Sequence, residues 1–289
     1  MIDRRGFLAM AGAAAAGGAN LAQADTKLPI KKAVYYGMLP EKLSVADRFK
    51  MARDAGFAEI ELPTTPNQSD AEAMKKAAEA AGIRIHSVMN QAHWDYPLSS
   101  SDPAVVAKSM EGMKTSLHNA HFWGADTVLL VPAVVNKQTR YEDAWKRSQK
   151  QIRELLPLAE QLKVIIGIEE VWNKFLLSPL EMRTYVDEFK SPYIKAYCDV
   201  GNMVLYGYPQ DWILTLNKRI CKLHLKDFRW KNMKAEFVNL RDGDIDWKAV
   251  YAALKEVGYN GTATVELDNG DLAYLQDVNR RVDLIFSGA

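Results

Sequence analysis

Acidic residues and one histidine stand near the ends of four consecutive predicted β-strands in the second half of the chain. They are Glu169, Glu170, Asp199, His224 and Glu266. If these strands are parallel neighbours, their carboxyl ends meet at one face and the side chains converge there. Three carboxylates and one imidazole form a hard, oxygen-rich donor set that suits Mn²⁺, Co²⁺ or Mg²⁺ better than Zn²⁺. We therefore predict one divalent metal ion, bound by Glu169 or Glu170 together with Asp199, His224 and Glu266.

The fifth predicted strand leaves two candidates for its ligand. Alternation along a strand directs Glu169 and Glu170 to opposite faces, and the residues alone do not tell which face is inward. Glu170 therefore stays an alternative to Glu169. Buried carboxylates without a cation would repel one another and their pKa values would rise, a cost that a bound metal removes.

The elements that position these residues alternate regularly from residue 31 onward. Eight β-rich runs lie at 31–39, 58–63, 84–90, 126–133, 164–171, 194–201, 220–228 and 261–268. Helical runs with apolar spacing of three and four follow at 44–55, 69–81, 103–122, 141–162, 178–189, 209–218, 246–257 and 271–286. Alternating strands and helices predict a parallel sheet with crossovers. Eight units predict an α/β fold with a single (β/α)8 TIM barrel over residues 25–289. A doubly wound sheet is the alternative, but no G-x-G-x-x-G follows the first strand.

Residues 1–24 have the features of a twin-arginine signal peptide. Arg4 and Arg5 precede an Ala- and Gly-rich apolar stretch that ends at Leu21, and an A-x-A cleavage site follows at 22–24. The apolar run is too short to span a bilayer, which needs about 20 residues. We predict a periplasmic or otherwise exported protein without stable membrane insertion.

Composition excludes several classes of partner. The chain has 37 Lys and Arg against 36 Asp and Glu, so it lacks the basic surface of a nucleic-acid-binding protein. Its hydrophobic content of 48% is ordinary for a globular core. Cys198 and Cys221 lie inside predicted strands, where disulfide geometry is hard to reach. We predict that both are free thiols.

Several segments resemble the xylose-isomerase-like barrel superfamily. They are 84–94, 169–179, 198–202, 222–228, 241–247 and 261–266. Within the superfamily they are similar to the sugar-phosphate isomerase/epimerase group, which includes hexulose-6-phosphate isomerase-like proteins and ketose 3-epimerases. The resemblance covers essentially the whole chain after residue 24. Carried over by position, it implies Glu169, Asp199, His224 and Glu266 as metal ligands. Asn202 stands where the DNA-repair endonucleases and many ketose 3-epimerases have a histidine, which argues against a nuclease.

This donor set supports proton transfer next to a carbonyl. A divalent cation would stabilise the enediolate, and Glu169 and Glu266 would act as the catalytic acid and base. Return of the proton to the same carbon gives epimerisation, and return to the adjacent carbon gives isomerisation. We predict seven further substrate-binding residues around the site: His86, His93, Trp94, Trp172, Asn173, Asn202 and Lys226.

The expected partner is a small-molecule sugar or sugar derivative. Export favours a free sugar over a sugar phosphate, and no glycine-rich phosphate loop follows the last two strands. Two alternatives remain: a 3-keto-glycoside lyase or hydrolase that uses the same metal site, and a non-catalytic periplasmic sugar-binding barrel. Relatives are often oligomers, so a homo-oligomer is compatible with the resemblance.

Overall fold

Eight parallel strands form the centre of the fold. The computed structural model describes residues 27–231 and 234–289, so the signal peptide predicted at 1–24 lies outside the described residues. The strands are β1 (Lys31–Tyr35), β2 (Glu59–Pro63), β3 (Arg84–Met89), β4 (Thr127–Leu130), β5 (Ile165–Ile168), β6 (Ile194–Asp199), β7 (Ile220–Leu225) and β10 (Thr262–Val265). They close into a barrel in the order β1-β10-β7-β6-β5-β4-β3-β2, which confirms the predicted (β/α)8 barrel.

Helices connect the strands and pack around the barrel. They are α1 (Val45–Asp54), α2 (Gln68–Ala81), α3 (Ala92–Asp95), α4 (Pro103–Trp123), α5 (Tyr141–Leu162), α6 (Pro179–Asp187), α7 (Pro209–Leu216), α8 (Trp247–Glu256) and α9 (Leu272–Phe286). The caps explain some of these bounds: Asp102 accepts a hydrogen bond from the backbone of Ala104, and Gly124 ends α4 with a left-handed φ of 72°. Over the described residues, none of these helices has both the length and the apolar character that a membrane crossing requires.

The two faces of the barrel strands differ in chemistry. Outward side chains such as Ile60, Ile166 and Leu223 are fully buried against the helices in the main hydrophobic core. The inside holds a small apolar cluster of Met89, Leu129, Val131 and Tyr197, together with many buried polar groups. A substrate bound at the carboxyl ends of the strands would contact polar side chains of this inward face. Cys198 and Cys221 do not form a disulfide bond with each other, and both are free thiols, as predicted.

The seventh strand is shorter than predicted. We expected it to cover 220–228, but β7 ends at Leu225 and the chain then forms an antiparallel hairpin of β8 (Asp227–Lys231) and β9 (Lys234–Val238). Asp227 explains the break, because its Oδ2 accepts hydrogen bonds from Arg241 N at 2.6 Å and Trp247 Nε1 at 2.9 Å. These bonds join the start of the hairpin, at Asp227, to the segment that follows it, at Arg241 and Trp247. The first strand likewise ends at Tyr35, before a 3₁₀ turn at Tyr36–Met38, and the short helix α3 was not predicted.

Candidate metal centre and active site

The four predicted ligands converge at the carboxyl ends of the barrel strands. One donor atom each from Glu169, Asp199, His224 and Glu266 lies within 4.8 Å of the other three. His224 Nδ1 is 2.9 Å from Glu169 Oε1 and from Glu266 Oε2, and 3.8 Å from Asp199 Oδ2. Strand register accounts for this, because Asp199 pairs with His224 across β6 and β7, and His224 pairs with Thr264, two residues before Glu266.

The structure places Glu169, and not Glu170, in this cluster. Glu170 is also buried, but neither of its carboxylate oxygens has a hydrogen-bond partner among the described residues. Burial, together with the charges of Asp199 and Glu169, raises the pKa of Glu170 well above its ordinary value. The shift favours the protonated form of Glu170 over the carboxylate.

Lys226 contacts two of the four predicted ligands, Asp199 and Glu266. Its Nζ lies 2.7 Å from Asp199 Oδ2 and 2.8 Å from Glu266 Oε2. Burial would lower the pKa of Lys226, but the charges of Asp199 and Glu266 raise it well above its ordinary value. The ammonium group is therefore charged and already paired with two carboxylates.

The pKa values of Glu169 and Glu266 are shifted in opposite directions. Burial raises the pKa of Glu169 to about 7, although the charge of His224 works in the opposite direction. Burial would also raise the pKa of Glu266, but the charges of Lys226 and His224 bring it below its ordinary value. Two carboxyl groups that differ in this way can hold and accept a proton at the same pH.

One further carboxylate was missed by the sequence analysis. Glu61 on β2 is fully buried, and its Oε1 lies 2.9 Å from His224 Nε2. Applying the strand-end rule to the second predicted strand would have found it, since Glu61 stands two residues before the end of that run. Four carboxylates thus surround one imidazole and one ammonium group. The carboxylates outnumber the positively charged groups, and most of the donor atoms are oxygens. Both features fit a divalent cation.

The other two predicted histidines are buried and neutral. A β-bulge between β2 and β3 skips His86, and its Nε2 lies 2.9 Å from Thr264 Oγ1. His93 Nδ1 accepts a hydrogen bond from Val131 N at 3.1 Å, so its proton is on Nε2. Burial lowers the pKa of His93 to about 3 and that of His86 well below its ordinary value.

Two predicted substrate-binding asparagines use their side chains on the protein itself. Asn173 Nδ2 donates to Ala133 O at 2.6 Å, and its Oδ1 accepts from the backbone of Phe175. Asn202 Nδ2 donates to Glu170 O at 3.1 Å, and its backbone N–H donates to Asp199 Oδ1 at 3.0 Å. These contacts position the loops after β5 and β6, and substrate binding by the two residues stays a prediction.

Aromatic side chains surround the mouth of the barrel. Trp172 stacks on Phe237 of β9 at 5.0 Å between ring centroids, and its Nε1 donates to Asn202 O at 3.0 Å. Trp94 is 54% exposed and makes an edge contact with His93. A cavity of about 220 Å³ opens beside Glu266, with Lys226, Phe237, Asp268 and other residues in its wall. The unpredicted hairpin therefore supplies one side of the site.

Comparison with known proteins gives the family. The chain belongs to the xylose isomerase-like TIM barrel family, whose model matches residues 49–282. L-ribulose-5-phosphate 3-epimerase UlaE of Salmonella paratyphi C is 25% identical over 252 residues, with 81% of this chain and 86% of UlaE covered. These similarities support the sugar isomerase/epimerase class that the sequence predicts.

Solved structures share the fold. L-ribulose 3-epimerase has a TM-score of 0.76 and 17% identity, with 89% of this chain and 94% of that chain covered. The apo form of 3-keto-D-glucoside 4-epimerase YcjR from E. coli has a TM-score of 0.75 and 13% identity, with 87% and 98% covered.

Proposed function

We propose that this chain is a divalent-metal-dependent sugar epimerase or isomerase that removes and returns a proton next to a carbonyl. The convergence of Glu169 and Glu266 carries the proposal, since each approaches the same nitrogen of His224 at 2.9 Å. The two carboxylates come from β5 and β10, which are separated in the barrel by β6 and β7. One can take the proton of a sugar carbon placed between them, and the other can return it.

The cluster offers what this chemistry needs from the protein. Glu169, Asp199, His224 and Glu266 would hold one ion, with Mn²⁺, Co²⁺ or Mg²⁺ favoured over Zn²⁺. When bound, the cation stabilises the negative charge that develops on the enediolate oxygens. Glu169 and Glu266 would exchange the proton with the substrate carbon, because they are the two carboxylates that approach the same nitrogen of His224 from different strands.

The substrate we propose is a sugar without a phosphate group. Among the described residues that line the cavity, Lys226 is the one with a positively charged side chain. Its ammonium group is already paired with the carboxylates of Asp199 and Glu266. Asp268 adds a further negative charge to the wall, so a phosphate dianion would meet repulsion there. The ring of Phe237, which is 48% exposed and lines the cavity, offers an apolar face that suits the C–H surface of a sugar ring.

Metal content and proton exchange test the proposal together. We expect about one divalent ion per folded chain by elemental mass spectrometry, as a single four-ligand site implies. In D₂O the metal-loaded protein should exchange a C–H proton of a free ketose, whereas ketose 5-phosphates should exchange far more slowly. Chelation should stop the exchange, and returning Mn²⁺ should restore it.

The outcomes separate the alternatives. A folded chain that stays metal-free after incubation with these ions would contradict the mechanism and favour the non-catalytic sugar-binding barrel. Release of an aglycone from a 3-keto-glycoside, without epimerisation, would instead favour the lyase or hydrolase that uses the same site.

We also propose that the protein is exported by the twin-arginine route, on the evidence of residues 1–24. Replacement of both Arg4 and Arg5 by lysine should retain the full-length precursor in the cytoplasm, whereas the wild-type chain should appear in the periplasmic fraction in a shorter form. The measurement is cell fractionation with immunodetection beside a cytoplasmic marker. Equal periplasmic amounts of the two proteins would contradict the proposed route.

A further inference from the structure

Glu61 lies behind the cluster and contacts one ligand, His224. It is fully buried on the inward face of β2, where its Oε1 is 2.9 Å from His224 Nε2. Its other oxygen, Oε2, accepts a hydrogen bond of 2.5 Å from the hydroxyl group of Tyr197 on β6. Both oxygens of this carboxylate are therefore fixed by residues from two other strands.

The geometry assigns different tasks to the two nitrogens of His224. Nδ1 faces Glu169 and Glu266, whereas Nε2 faces Glu61. A neutral imidazole carries one proton, and the nitrogen without it is the one that can bind a metal. A proton on Nε2, donated to Glu61, would leave the lone pair of Nδ1 for a cation held among Glu169, Asp199 and Glu266.

Tyr197 restrains the same ring from the side. The ring centroids of Tyr197 and His224 are 4.6 Å apart in an edge-to-face contact. The Tyr197 ring crosses the barrel next to Gly167, where an added Cβ atom would lie 3.0 Å from it. A side chain at position 167 would push this ring away, so the small residue preserves the contact.

We propose that Glu61 and Tyr197 form a positioning pair that holds His224 in the Nε2–H tautomer and thereby sets the affinity of the cluster for a divalent cation. The inference rests on the proposed metal-dependent function, and neither residue of the pair touches the substrate in this role. Partners that orient a metal-binding imidazole in this way typically contribute 10-fold to 100-fold to metal affinity.

The chain offers a matched control on the same strand. Glu59 also faces inward on β2 and is 2% exposed. Its carboxylate instead accepts hydrogen bonds from Arg84 Nη1 at 3.0 Å and from Thr262 Oγ1 at 2.6 Å. Glu59→Gln therefore removes a buried negative charge from the barrel without touching the imidazole.

Isothermal titration with Mn²⁺ measures the effect on affinity. We expect Glu61→Leu to weaken binding about 10-fold to 100-fold. Glu61→Gln, which keeps an acceptor oxygen, should weaken it less. Tyr197→Phe should weaken it by roughly threefold, because the hydrogen bond that it removes acts on the imidazole only through Glu61. Glu59→Gln should stay within roughly twofold of the wild type. Circular dichroism establishes that each variant is folded.

A second measurement uses the unsubstituted protein. In ¹⁵N-histidine-labelled protein loaded with Mg²⁺, the nitrogen shifts of His224 should show a proton on Nε2 and none on Nδ1. A proton on Nδ1 would overturn the inference, as would unchanged Mn²⁺ affinity in folded Glu61→Leu. In either case a metal-binding wild type leaves the proposed function standing. A wild type that binds no divalent cation overturns both.

Discussion

Replacement of Glu266 by glutamine should strongly slow the interconversion of the two sugar epimers while the protein stays folded and binds metal at saturating concentration. The amide keeps the shape of the side chain and one oxygen donor, but it can neither accept nor return a proton. Acid–base groups of this kind typically contribute 10²-fold to 10⁴-fold to the rate, and we expect a loss of this size in kcat. The comparison variant is Glu169→Gln, which removes the corresponding carboxylate on the other strand.

Exchange in D₂O, followed by NMR, distinguishes the two carboxylates. If each serves one face of the sugar carbon, each variant should still exchange the proton of one epimer, and the two variants should favour opposite epimers. Glu256→Gln, which changes an exposed carboxylate at the end of α8, should behave like the wild type. Exchange of both epimers at the wild-type rate by Glu266→Gln would remove this residue from the proton-transfer mechanism.

The second large effect concerns His224, whose replacement by alanine should cost both the metal and much of the stability. The imidazole is fully buried and lies 2.9 Å from each of three carboxylates, on Glu61, Glu169 and Glu266. Removing it leaves these groups without their common partner. Breaking a buried ionic contact in this way typically costs about 3–5 kcal/mol. We expect an unfolding free energy lower by that amount, and bound metal well below the wild-type content.

Denaturant unfolding of the metal-free proteins, together with elemental analysis after metal loading, measures both effects. His118→Ala is the control, because His118 is exposed on α4 and has no assigned role. It should match the wild type in both measurements. If folded His224→Ala still bound one tightly held ion per chain, His224 would not be a ligand.

The sequence predicted the four-residue cluster because each member stands at or near the end of a strand in a repeated pattern. In a parallel barrel the carboxyl ends of all strands meet at one face, so their position along the chain translates into proximity. The same reasoning, applied to strand two, would have included Glu61. Asn173 and Asn202 show the limit of this approach, because a polar residue at a strand end can equally bind the backbone of a neighbouring loop.

By itself the sequence determined the eight strand–helix units and the donor set at the strand ends, since periodicity and residue type are properties of short segments. The tertiary structure decided which face of β5 is inward, and so placed Glu169 rather than Glu170 beside His224. It also brought Glu61 to His224, 163 residues apart in the chain, and folded residues after Asp227 into a hairpin over the site. These features depend on barrel closure, which sets strand rotation and register through contacts between distant segments.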